Sequence, residues 1–497
     1  MAGITTAMVM ATDRLAFSGS PLITRRVGRV VFIYIALLMV PVPVTAATLE
    51  FAPEVEAGTG YTDNIRLTSD DEEDEWLAWV RPSFIFARDA DRLDLSAQYA
   101  LDAFLYGGTD TNLSHRFFGN ANGELIRDTF FLNVSGSRTQ GIVDPERSYS
   151  FGNLPRGGNR TDITQLNVMP YLQQRFGDDG IVNLSYQYGQ LWYDDSEAQD
   201  SKRHLASADI GTWNKDAGFT WRANYNYTKL EYDVSQPYEY QIAYGELGFW
   251  VTRTTRLFGA YGLESDYEDV DSSGLDERSW EAGIEFVPNQ RLNLLVAVGD
   301  RSWGKSYRGS LRYQVQRFTT NISYNETPTT PGLNGYRRNP FPDEDDPDDS
   351  LDRPGAGGRY INKRFNWRTT YDLAKSSWTV NLYQSKREDI ILDENSELDP
   401  DDLSNEEYRG ASLTWRWDAG SRTSIFLVGS FTRREFADTG DKDDIWRIRA
   451  EAEYELGPRT YVNVAYQHAE QNPDNSDSNN DSGYTANTIG FWIRRTF

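Results

Sequence analysis

The chain carries three histidines, His115, His204 and His468, and no cysteine. A Ser–His pair would serve a membrane-embedded lipase and an Asp–His pair a surface protease, because the attacking oxygen needs a base beside it. Neither arrangement is recognisable from the spacing around these histidines, so they are read as solvated positions and no catalytic residue is assigned. Without cysteine, disulfides and Cys-ligated zinc or iron–sulfur sites are excluded. Two runs are rich in oxygen ligands, Asp343-Glu344-Asp345-Asp346-Pro347-Asp348-Asp349 and Asp474-Asn475-Ser476-Asp477-Ser478-Asn479-Asn480-Asp481. Both lack the glycine and closing glutamate of a calcium-binding EF-hand loop, so neither a metal nor a cofactor is expected. A net charge of −25 leaves no basic footprint for nucleic acid.

The remaining charged side chains are ordered by a period of two. In Trp446-Arg447-Ile448-Arg449-Ala450-Glu451-Ala452-Glu453-Tyr454-Glu455-Leu456 charged and apolar or aromatic residues alternate without a break. The stretches 182–189, 219–228 and 292–299 split the same way, which is the pattern of strands with one apolar and one polar face. If the apolar face meets lipid, the opposite face of the chain gathers Asp94, Asp102, Glu281, Glu285, Glu455, Arg308 and Arg364. It also gathers the candidate pore-lining set: Arg222, Arg312, Arg368, Arg416, Arg447, Arg449, Glu451 and Glu453. Two readings stand side by side: a charge-paired ladder bracing the wall, and a polar conduit whose arginines and neutral groups suit sugars.

The elements that would position these groups are long. Strands of ten to fifteen residues exceed the five or six usual in soluble sheets and match a membrane crossing. Tight connections, such as Asp89-Ala90-Asp91-Arg92 and Gly457-Pro458-Arg459, alternate strictly with long polar loops such as Gly141–Asp162, Pro328–Gly358 and Glu388–Glu407. A sandwich has no reason for that asymmetry, whereas a transmembrane antiparallel β-barrel does. Aromatics at Trp415, Trp417, Phe365, Trp367 and Trp378 suggest an interfacial girdle. The count is about 22 strands (range 18–24), with the weakest turns at Lys305-Ser306 and Gln316-Arg317. At ~4.8 Å per strand and ~40° tilt this gives a radius of roughly 22 Å, so an inward loop is needed to narrow the lumen. Pro328–Gly358 and Gly141–Asp162 are the candidates.

Both ends carry signals. Arg14, Arg25, Arg26 and Arg29 precede the apolar run Val30–Val40 and the small-residue segment ending Thr45-Ala46-Ala47, the order of a secretory signal peptide over residues 1–46. Residues 47–497 then form a single barrel domain without a separate plug. At the other end Ile489, Phe491, Ile493 and the terminal Phe497 share one face, resembling the signal read by the barrel assembly machinery; Arg495 departs from it.

Leu49-Glu50-Phe51-Ala52-Pro53 running into Gly60-Tyr61-Thr62-Asp63-Asn64-Ile65, with Pro82-Ser83-Phe84, Tyr99-Ala100-Leu101 and the Tyr313 to Tyr324 hairpin, resembles a family of uncharacterised outer-membrane barrels. That family accompanies exosortase (PEP-CTERM) and exopolysaccharide systems of Gram-negative bacteria. The resemblance implies an envelope role beside polysaccharide export and transfers no catalytic residue. The expectation is therefore a porin-like outer-membrane channel, not an enzyme, involved in exopolysaccharide export. Its expected partners are outer-membrane lipid, lipopolysaccharide, the assembly machinery, polysaccharide and export proteins. The alternative is a non-conducting anchor or surface-interaction protein of the same system.

Overall fold

The structure is a computed structural model that describes residues 48–497 apart from 70–71, 108–109, 143–159, 178, 195–197, 213–217, 268–273, 337–358, 392–405, 437–439 and 475–482. The expected signal peptide, the acidic runs 343–349 and 475–481, and most of both candidate constriction loops lie outside the described residues.

Alternation becomes strand wherever it was read. The first eleven strands are β1 Thr48–Thr62, β2 Glu75–Asp89, β3 Leu93–Tyr106, β4 Asp110–Ile126, β5 Phe130–Ile142, β6 Arg160–Phe176, β7 Gly180–Tyr193, β8 Ser201–Thr212, β9 Phe219–Tyr232, β10 Tyr238–Trp250 and β11 Thr255–Glu264. The others are β12 Glu277–Asn289, β13 Leu292–Arg301, β14 Gly304–Val315, β15 Phe318–Thr329, β16 Arg359–Asp372, β17 Ser376–Ile391, β18 Glu406–Asp418, β19 Thr423–Phe436, β20 Lys442–Gly457, β21 Thr460–Pro473 and β22 Tyr484–Thr496. The sheet has 22 strands, and β1 pairs antiparallel with β22, so it closes with no free edge. A closed barrel is the one β architecture that satisfies every backbone group inside a bilayer.

The convex face exposes Phe249, Leu257, Ile284, Val296, Leu413, Ile448, Val464 and Phe491, and below the outer rim the concave face holds charged residues such as Arg256 and Arg449. Moving one arginine to the lipid face at the bilayer midplane costs about 2–4 kcal/mol, so a one-residue register slip is strongly disfavoured. Trp378 stacks on Trp415 at 5.3 Å and Trp415 on Trp417 at 5.6 Å, forming part of a girdle at the end where β1 begins and β22 finishes. Connections at that end run from two residues (Gln316-Arg317) to six (213–218), the pattern of a periplasmic end.

The expected strict alternation of loop length fails on the other, outer end, most sharply at two places. β3 and β4 are separated only by 107–109, and β13 and β14 only by Ser302-Trp303. The second turn was expected at Lys305-Ser306. Trp303 reads as a strand residue, yet it turns inward to meet Tyr267 at 6.3 Å, beneath the Arg301 guanidinium, while the Ser302 amide donates to Glu264 at 2.6 Å. Gly304 supplies the φ of +105° that the hairpin needs.

The outer mouth is covered in part by the chain that follows β15. After β15 the chain forms one short helical turn, α1 Pro331–Gly335, followed by Tyr336. The Thr330 hydroxyl bonds the Tyr232 hydroxyl of β9 at 2.6 Å. Six strand spacings separate β9 from β15 along the wall, an arc of roughly 29 Å at ~4.8 Å per strand, so the chain that follows β15 must reach inward across the mouth to make that bond.

Candidate functional site: the lumen wall

All eight candidate pore-lining residues lie on the concave face, but the structure divides them by their partners. Arg222 bonds Asp209 at 2.5 Å, Arg449 bonds Glu451 at 2.6 Å, and Glu453 bonds Arg494 at 2.5 Å. Arg416 lies over the Phe426 ring at 5.3 Å. Ion pairs extend well beyond that set. Asp102, fully buried, takes both Arg81 and Arg116. Arg256, with its side chain 3 % exposed, sits between Glu246 and Glu285 and also donates to Thr220. Gly248 makes that possible, since a Cβ there would lie 2.5 Å from the Arg256 Nε. Glu406 binds Arg434 at 2.8 Å and Arg387 at 3.1 Å near the outer rim. Such charges persist in a low-dielectric wall only because each is paired and hydrogen-bonded. The bracing reading accounts for this part of the lumen.

One sector differs. Asn293, Arg308, Ser310 and Arg312 on β13 and β14 are exposed on the concave face, as are Asn321, Ser323 and Arg368 on β15 and β16. A concave side chain can be exposed only where the lumen beside it is open. Cross-strand register aligns Asn293, Arg312, Asn321, Arg368, Asn381, Ser412, Ser430 and Arg447, one from each of eight consecutive strands. Three candidate arginines thus share one transverse row with amides and hydroxyls. Arg308 is held by both Glu281 oxygens, at 2.5 and 3.2 Å. Among the described residues Arg312 and Arg368 form no ion pair.

The sector of β6 to β10 is covered at the outer end. Tyr336 donates its hydroxyl to the Ser201 carbonyl at 2.8 Å, accepts the Gln165 amide on its own carbonyl at 3.2 Å, and lies under the Arg203 guanidinium at 4.2 Å. Ile163, Leu191, Tyr193, Ala198, Leu230 and Tyr238 pack with it, joined by Tyr232, Tyr240 and Leu333. Burial raises the Tyr336 phenol well above its ordinary pKa, so this contact stays neutral through the physiological range.

These mouth residues were not anticipated, because at the outer end both faces can carry charge and, beneath the loop, the polar-inward rule inverts. There the concave face is apolar beneath the loop, and the convex face carries Arg138 with Asp162 and Asp194, and Arg433 with Asp444. The same inversion places the three histidines on the convex side near the outer rim. His115 meets the Tyr99 hydroxyl at 2.8 Å and His204 the Tyr186 hydroxyl at 2.7 Å. His468 meets Asn487 at 2.9 Å and Glu470 at 3.6 Å.

The residues quoted for the family resemblance form a clasp at the seam. Asp63 accepts both the backbone and the side-chain N–H of Asn487, each at 2.7 Å, linking β1 to β22. Asn64, buried, donates to the Thr68 and Thr485 carbonyls and accepts from the Thr68 amide. This holds Leu67 at a φ of +56°, and Ile65 fills a pocket of Leu77, Trp79, Phe104 and Tyr106.

Among solved structures the chain is similar to the siderophore receptor PirA from Acinetobacter baumannii, at 9% identity over 91% of this chain and 81% of that one, with a TM-score of 0.51. It also aligns with the FrpB iron transporter from Neisseria meningitidis (10% identity, 90% of this chain and 82% of that one, TM-score 0.49). A third alignment is with a loop-deletion mutant of OmpT, an outer membrane protein of Vibrio cholerae (12% identity, 91% and 100%, TM-score 0.33). No family model and no curated protein matches the chain.

The chain is an outer-membrane β-barrel. At this identity the PirA likeness speaks to the fold alone, and the closed sheet with its lipid-facing convex belt agrees with it. The barrel's place is the outer membrane of a Gram-negative cell. What passes through it, or binds to it, has to be argued from the lumen.

Proposed function

We propose that the barrel is a porin-like channel that exports an exopolysaccharide. The observation that carries this reading is the open polar sector of β13 to β16, whose arginines, amides and hydroxyls are turned to the lumen and solvent-exposed. Amides and hydroxyls match sugar hydroxyls in donors and acceptors, and guanidinium groups match acidic substituents. The secretory signal read in residues 1–46 and the family resemblance support the same placement beside polysaccharide export. Export-system proteins, lipopolysaccharide and the assembly machinery are the partners proposed with it.

A second reading, a non-conducting anchor of that system, is favoured by one observation: the tyrosine-rich closure around Tyr336 at the outer mouth. Planar-bilayer recording separates the two. The channel reading expects discrete conductance steps from the purified barrel, and larger ones after Tyr336→Ala or removal of 331–336, which releases the contacts to Ser201 and Gln165. A folded barrel giving no steps in any of these forms would leave the anchor.

A further inference from the structure

Arg312 and Arg368 are unusual within this lumen. Arg81, Arg116, Arg222, Arg256, Arg301 and Arg308 all have a carboxylate within 4 Å on the concave face. Arg312 and Arg368 have none among the described residues, yet both are exposed to the lumen. They are also neighbours in register. Each lies directly across from Asn321, one on β14 and one on β16. Two strand spacings put their backbones about 10 Å apart, a gap that two extended arginines can bridge toward one ligand. Asn321 stands between them with an amide that can serve sugar hydroxyls, and Asn293 and Asn381 flank the pair in the same row. Their height is equally specific. Arg312 is three residues from the end of β14 and Arg368 four from the end of β16, both at the periplasmic side.

We infer that Arg312 and Arg368, with Asn321 between them, form a binding site for the carboxylate groups of an acidic polysaccharide at the periplasmic entrance of the lumen. The inference rests on the export reading for its setting and adds the substrate class. Paired guanidinium groups bind a planar carboxylate through parallel N–H donors, and a positive sector in a low-dielectric channel concentrates anions. Acidic groups on successive sugars can then be handed along the wall.

The test is equilibrium binding to the whole detergent-solubilised barrel, measured by calorimetry at low salt. The probes are an oligogalacturonate, a neutral malto-oligosaccharide of equal length and inorganic phosphate. The wild type should bind the acidic oligomer, the neutral one at least about tenfold more weakly, and the Arg312→Gln, Arg368→Gln double variant should lose at least about tenfold toward the acidic oligomer alone. The Arg312→Lys, Arg368→Lys variant, which keeps the charge but not the fork, should fall between them. An unchanged circular dichroism spectrum shows that the variants are folded. Equal binding by wild type and the glutamine variant would overturn the site, as would equal binding of acidic and neutral oligomers. Phosphate displacing the oligomer at equal concentration would overturn the polymer in favour of a free small anion. Conductance is read separately: a barrel that binds the acidic oligomer but does not conduct keeps the site and loses the channel. A conducting barrel indifferent to acidity does the reverse.

Discussion

At the scale of residues, the lumen divides charges that brace from charges left to act. Arg256 neutralises two buried glutamates, so Arg256→Ala strands both; the expected loss is about 3 kcal/mol or more by reversible urea unfolding in lipid. Arg222→Ala, which opens a half-exposed pair with Asp209, should cost under about 1 kcal/mol in the same assay. Asn64→Ala removes the buried amide that ties 64–68 to β22, for an expected cost of about 1–2 kcal/mol. The alternation in 446–456 was enough to read Arg447, Arg449, Glu451 and Glu453 as inward-facing. It could not show that Glu453 is matched to Arg494 of β22, nor that Asn293 and Asn321 stand beside Arg312. Those facts depend on cross-strand register, which a single strand's pattern does not contain.

At the scale of elements, strand positions were legible because every strand has two faces in different solvents. The expected count of about 22 is met, and the alternating stretches 182–189, 219–228, 292–299 and 446–456 fall within β7, β9, β13 and β20. Outer-end features were harder. Trp303 and the tyrosines of the mouth are apolar residues that pack on the concave side above the membrane, so alternation misassigns them. β22 bears on assembly: Ile489, Phe491 and Ile493 are exposed on its convex face, and the Phe497 amide donates to the Pro53 carbonyl of β1 at 2.9 Å. Deleting Phe497 should sharply lower the folded, membrane-inserted fraction, whereas Lys442→Ala at the outer start of β20 should not; equal insertion of both would show that the terminal residue is not read.

At the scale of the whole molecule, the central claim is that the concave polar sector of β13 to β16 borders water while the convex face borders lipid. The chain has no cysteine, so an introduced thiol reports its own surroundings without interference. Arg368→Cys places one on the open sector, and Val296→Cys places one on the convex face. The measurement is labelling of each variant, folded in lipid vesicles, by a charged maleimide that does not enter bilayers. The account predicts rapid modification at 368 and none at 296. Protection at 368 together with modification at 296 would mean that the two faces have been assigned the wrong way round.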